Sequence, residues 1–167
     1  MFTIGIECTV VLPPTDLQAN YDPDFDNITV LLSDICDSLA ETGQVVFRVS
    51  GFGQDRWPVD VGTDLVVVLE QLPRVWEALR TSSPTDLDLY EQGIQRTLTF
   101  RRTNGETVIG CESMTQWVPD PAIERIDTRV VLDMLSRFRD AFVRLARQRT
   151  PGVVSHRWFQ EWMAHLL

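Results

Sequence analysis

Apolar residues recur at every second position from Phe2 through Ile4, Ile6, Cys8, Val10 and Leu12, the period of a strand with one buried face, and Pro13-Pro14 closes the run. A longer period follows. In "DNITVLLSDICDSLAETG" the residues Ile28, Leu31, Leu32, Ile35 and Leu39 fall on one helical stripe, with Asp26 or Asn27 as cap and Gly43 beyond the end. "QVVFRVS", residues 44–50, is rich in β-branched and aromatic side chains and predicts a second strand. Leu65, Val68, Leu69, Leu72, Val75, Trp76 and Leu79 return to helical spacing, which predicts a helix over residues 64–80, bent or broken near Pro73. Three consecutive valines leave open a strand at 64–70 followed by a short helix.

"IQRTLTFRR", "TNG" and "ETVIGCES" read as a hairpin, because Asn104-Gly105 supplies the positive φ values of a tight turn. With "DLDLYEQ" before it, a three-stranded antiparallel meander results. The proline-punctuated "MTQWVPDPAIER" reads as a loop ending at Asp127, the cap of the longest helix, "TRVVLDMLSRFRDAFVRLARQR". Its apolar stripe is Val131, Met134, Leu135, Phe138, Phe142 and Leu145. The tail "SHRWFQEWMAHLL" predicts a closing helix with Trp158 and Trp162 one turn apart. The order of elements implies a single α+β domain over residues 1–167, with a largely antiparallel five-stranded sheet and helices packed on one face.

Composition narrows the function. The N-terminus lacks a basic region and carries Glu7 inside its apolar run, unlike a signal peptide, and no apolar run approaches the roughly 20 residues that cross a bilayer. A cytoplasmic, soluble protein is expected. Cys8, Cys36 and Cys111 are an odd number at wide spacing, which fits neither a disulfide framework nor a zinc site. All 15 basic residues are arginine, so any chemistry that needs a lysine is excluded, and the only histidines are His156 and His165. Charge is divided unequally: residues 1–93 hold 16 Asp and Glu against 4 Arg, a net of −12, and the remainder nets +3. Such a surface repels nucleic acid and steers a basic protein partner.

Candidate sites fare differently. "GFGQDRWPVDVGTDL", residues 51–65, matches a dinucleotide loop at Gly51 and Gly53 but carries Arg56 where the third glycine belongs. Asp55, Asp60 and Asp64 offer hard oxygen ligands at intervals that suit no metal loop, and Asp64 has a simpler role as a helix cap. Asp22, Asp24 and Asp26 have the opening spacing of a calcium loop, but the glycine and glutamate that complete one are Asn27 and Ser33. No catalytic residue, metal ligand or cofactor is assigned. Trp57 and Trp117 both sit in proline-containing loops beside acids, an arrangement suited to anchoring a protein interface. The expected partner-binding residues are Asp55, Trp57, Asp60, Trp117 and Asp120.

"YEQGIQRTLTF" (90–100), "SMTQWVPDP" (113–121) and "WFQEW" (158–162) resemble segments of short proteins of high-GC bacteria, and the acidic character resembles that of immunity proteins of polymorphic toxin systems. That resemblance implies a non-enzymatic inhibitor, a monomer or homodimer, that covers a basic surface on a toxin domain; it carries no functional residues over. Two other readings stay open on the sequence. One is a chaperone or adaptor for a secreted protein, and the other a small-ligand or metal-dependent enzyme using Asp55, Asp60 and Asp64.

Overall fold

A computed structural model describes all 167 residues. The alternating N-terminal run forms β1 (Thr3–Glu7), with Ile4 and Ile6 inward and Thr3 and Glu7 outward. It pairs antiparallel with β2 (Val46–Ser50), placing Ile4 against Val49 and Ile6 against Phe47. Between them in sequence lies α1 (Ile28–Glu41), whose first turn is capped by Asn27: its side-chain oxygen accepts from the Thr29 N–H at 2.9 Å. Gly43, at φ +63°, leads the chain out of the helix.

Residues 64–81 form one uninterrupted helix, α2 (Asp64–Thr81), which overturns both the break at Pro73 and the strand alternative. Pro73 has no N–H to give the carbonyl one turn back, that of Leu69. The indole N–H of Trp162 donates to this oxygen at 2.9 Å, so a side chain from the tail replaces the missing helical bond. Val66, Val67 and Val68 are all buried because α2 has α1 against one side and the next strand against another, which explains their unbroken apolar run.

The second sheet is a meander of β3 (Thr85–Leu89), β4 (Arg96–Thr103), β5 (Glu106–Ser113) and β6 (Ile123–Asp127), antiparallel throughout. Asn104 and Gly105 at φ +52° and +84° make the expected two-residue turn between Thr103 and Glu106. The fold is α+β, but six strands in sheets of two and four replace the five-stranded sheet expected. The unexpected strand is β6, read from sequence as loop. Its inward positions are Glu124 and Ile126, and the charged residue masks the alternation.

Glu124 is 9% exposed and joins the two sheets. One oxygen accepts from the Phe2 N–H, and the other accepts from the Phe52 N–H at 2.6 Å and lies 3.5 Å from the Met1 ammonium. Edge strand β3 is closed by α2: Gln71 bonds both the N–H and the carbonyl of Asp88, and Arg74 donates to the Asp86 carbonyl at 2.8 Å.

From β6 the chain passes directly into α3 (Thr128–Arg149), capped by Asp127, whose carboxylate accepts from the Arg129 N–H at 2.8 Å, and α3 packs on β1. The short α4 (Pro151–Val154) and then α5 (Arg157–Ala164) complete the chain. The tail is held by Arg80, which donates to the Leu167 carbonyl at 2.7 Å, and by Arg139, which donates to that of Leu166. One continuous apolar core joins residues of both sheets with α1, α2, α3 and α5. No helix is long and apolar enough to cross a membrane.

Candidate partner-binding groove

The two tryptophan loops meet. The Asp120 N–H donates to the Phe52 carbonyl at 3.0 Å, and Gly53 lies so close to the Asp120 carbonyl that a Cβ would stand 2.1 Å from its oxygen. At φ +82°, position 53 accepts only glycine on both grounds. Trp57 is 1% exposed and donates its indole N–H to the Gly51 carbonyl. It therefore belongs to the core, which corrects its expected role as a surface anchor. Trp117 is partly buried, and Asp55 and Asp120 are exposed.

Sequence reasoning missed the residue between the two rings. The guanidinium carbon of Arg96 lies 3.6 Å from the Trp117 ring centre and 4.3 Å from that of Trp57. Arg96 is 2% exposed, its Nε and Nη1 have no partner, and burial pulls its pKa down. Stacking on two indoles offsets part of that desolvation. The available signal was a charged residue on the inward side of β4, in register with Leu98 and Phe100.

Asp60 is not part of this junction; it lies beside α1. A side chain at Gly62 would come within 3.5 Å of an Asp37 carboxylate oxygen and 3.7 Å of an Asp60 one, so the two acids converge across that glycine. They flank Gly62, which lines a groove along α1. Thr29, Val30 and Ser33 line its α1 wall, and Thr63, Tyr90 and Glu91 stand opposite, around about 290 Å³ of open space. Glu70 bonds both walls: one oxygen accepts from Tyr90 at 2.8 Å, the other from Thr29 at 3.2 Å. On the other side of Glu70 lies a second cavity, a cleft of about 560 Å³ between the start of α1, Pro73 of α2, and α5. From Ile28 to Asp37 the α1 wall runs about 14 Å at the helical rise.

The walls of this groove are electronegative and largely uncompensated. Of the 16 acidic residues in positions 1–93, only Glu7 and Glu41 have an ion-pair partner, Arg48 and Arg149. Burial and neighbouring carboxylates raise the pKa of three groups on this side. Burial first, and then the hydrogen bond to Glu70 and its charge, push the Tyr90 phenol up to about 12. Tyr21, donating to Asp34 at 2.8 Å, is raised by burial and by that carboxylate. Asp37 is raised by burial, then by Asp34 and Glu41.

Asp55, Asp60 and Asp64 do not form a ligand set. Asp55 is on the tryptophan loop, whereas Asp64 accepts the Asp60 N–H at 2.9 Å and heads α2 without capping it. No group of three or more His, Cys, Asp or Glu side chains is placed to hold a metal ion. The calcium-like run folds on itself, with Asp26 accepting the Asp22 N–H and Asp22 that of Asp24.

Asp64 is 4% exposed with one oxygen unpartnered, and its pKa is raised to about 6, chiefly by burial, with charges of Asp60 and Glu91 adding. The folded state therefore holds this proton between about pH 4 and 6, where the unfolded chain has released it. Stability attributable to Asp64 falls as pH rises through that window and is level above it. Asp64→Asn is expected to raise stability at pH 7.5 by about 1 to 2 kcal/mol and to change nothing below pH 4. Urea unfolding from pH 4 to 8 measures this, and equal destabilisation at every pH contradicts it. Comparison with protein-family models, curated proteins and solved structures returns no match.

Proposed function

We propose that this chain is a non-enzymatic protein-binding module, working in the cytoplasm as an immunity-type inhibitor that covers a basic surface on a toxin domain. The observation that carries this reading is the row of carboxylates along α1 and its opposite wall, of which Asp26, Asp37, Asp60, Glu70 and Glu91 have no ion-pair partner. Unpaired acids on one face gain from a cationic partner what they lack within the chain, and their field raises the encounter rate.

The expected interface differs from the one the sequence indicates. Asp60 keeps its place in it, joined by Asp37 and Glu70, whereas the exposed Asp55 and Asp120 and the partly buried Trp117 belong to the separate loop junction. Asp37→Arg combined with Asp60→Arg should slow association with the protein encoded by the adjacent gene at least tenfold at low salt. That deficit should shrink as salt approaches 0.5 M. Stopped-flow association with both proteins purified measures it. A complex indifferent to these substitutions and to salt, or no complex at all, overturns the proposal.

A further inference from the structure

The cleft beyond Glu70 has chemistry of its own. Trp158 is partly buried and supported from behind by Tyr21, 5.7 Å away between ring centres, and by His156 at 4.8 Å. Trp162 is fixed by its bond to the Leu69 carbonyl. Around these indoles stand three carboxylates from three elements: Asp26 before α1, Glu70 on α2 and Glu161 on α5. The resident cation is Arg157, whose Nε lies 3.3 Å from Glu161 while its side chain is 77% exposed. An exposed pair of this kind is worth little and exchanges readily.

We infer that this cleft receives one arginine side chain of the cationic partner, its guanidinium stacked on Trp158 and bonded to Asp26, Glu70 and Glu161 in place of Arg157. The inference rests on the binding reading above and names the chemistry of one contact within it. Arginine suits the cleft better than lysine because a planar guanidinium stacks on an indole and presents donors in several in-plane directions, here toward acids on separate walls. The rigid mounting of the walls adds to this. Trp162 is tied to α2 and the tail to Arg80 and Arg139, so little ordering is required when the side chain enters.

The probe is N-acetyl-arginine methylamide, titrated at millimolar concentration into the full chain and followed through the indole N–H signals of Trp158 and Trp162. Saturable shifts are expected, with N-acetyl-norleucine methylamide producing none. Trp158→Ala and Glu70→Gln should each weaken the probe at least fivefold, and Arg157→Gln should strengthen it by removing the resident competitor. Trp158→Phe, which keeps an aromatic wall and the fold, should retain most of the binding. Equal shifts from the norleucine probe, or binding indifferent to Trp158→Ala and Arg157→Gln, overturn the assignment. If a basic partner binds with its affinity unchanged by Trp158→Ala and leaves the probe in place, this contact falls and the wider reading stands. Specific probe binding without any basic partner leaves the cleft chemistry intact and removes the inhibitor reading instead.

Discussion

Glu124→Ala is expected to destabilise the protein by about 3 kcal/mol, because two backbone N–H groups, those of Phe2 and Phe52, then lie buried without an acceptor. The loss is larger than for an ordinary hydrogen bond, since a charged acceptor is removed and its donors cannot reach water. Glu124→Gln should fall between wild type and alanine: one oxygen still accepts, but the amide nitrogen faces a donor. Urea denaturation reads the difference directly. Indistinguishable midpoints for wild type and Glu124→Ala would show that β1 and the loop after β2 are held by apolar packing alone, not by the carboxylate between them.

Trp57→Ala is expected to cost about 3 to 5 kcal/mol, the range for deleting a buried large aromatic side chain. A second consequence follows for Arg96, which loses one of its two indole faces and keeps its unpartnered nitrogens. A double-mutant cycle with Arg96→Met should return a coupling of about 1 to 2 kcal/mol. Because the residue belongs to the core, weaker partner binding by Trp57→Ala reports partial unfolding unless the variant is shown to be folded. Trp117→Ala is the informative comparison for the loop junction, since Trp117 remains partly accessible. A loss of stability below 1 kcal/mol for Trp57→Ala would mean that the ring is not packed as described.

The elements with a clean period were legible from sequence. The stripe of α3, the cap at Asp127, the Asn104-Gly105 turn and the helical spacing of α1 each combine an apolar period with a residue whose local chemistry admits few alternatives. Where the reading departed from the structure, a long-range contact had changed the meaning of a local signal. Pro73 argues for a broken helix until Trp162, almost ninety positions later, satisfies the freed carbonyl. Glu124 conceals β6 because its charge is matched by backbone donors far from it in sequence.

The same holds for the site. Excess negative charge in the first part of the chain was visible from residue counts, but its gathering along α1 depends on how the loop at Gly62 folds beside Asp37. The loops of Trp57 and Trp117 do meet, a proximity that their separate positions in the sequence leave open, and neither composition nor spacing shows that an arginine occupies the gap between them. Depth of burial is set by packing of the whole chain. A tryptophan in a proline loop has the same local sequence whether its ring faces solvent or the core.

Closure of the β3 margin by Gln71 and Arg74 has a consequence for how other molecules approach. The outward amide and carbonyl of Asp88 are already saturated, so a visiting chain finds no backbone template there on which to extend the sheet. Association at that side must instead be written in side chains, where complementarity of charge and shape can discriminate one visitor from another. A protein kept at high concentration gains from this as well, because at this margin its own copies are denied the generic route by which exposed strands zip into aggregates.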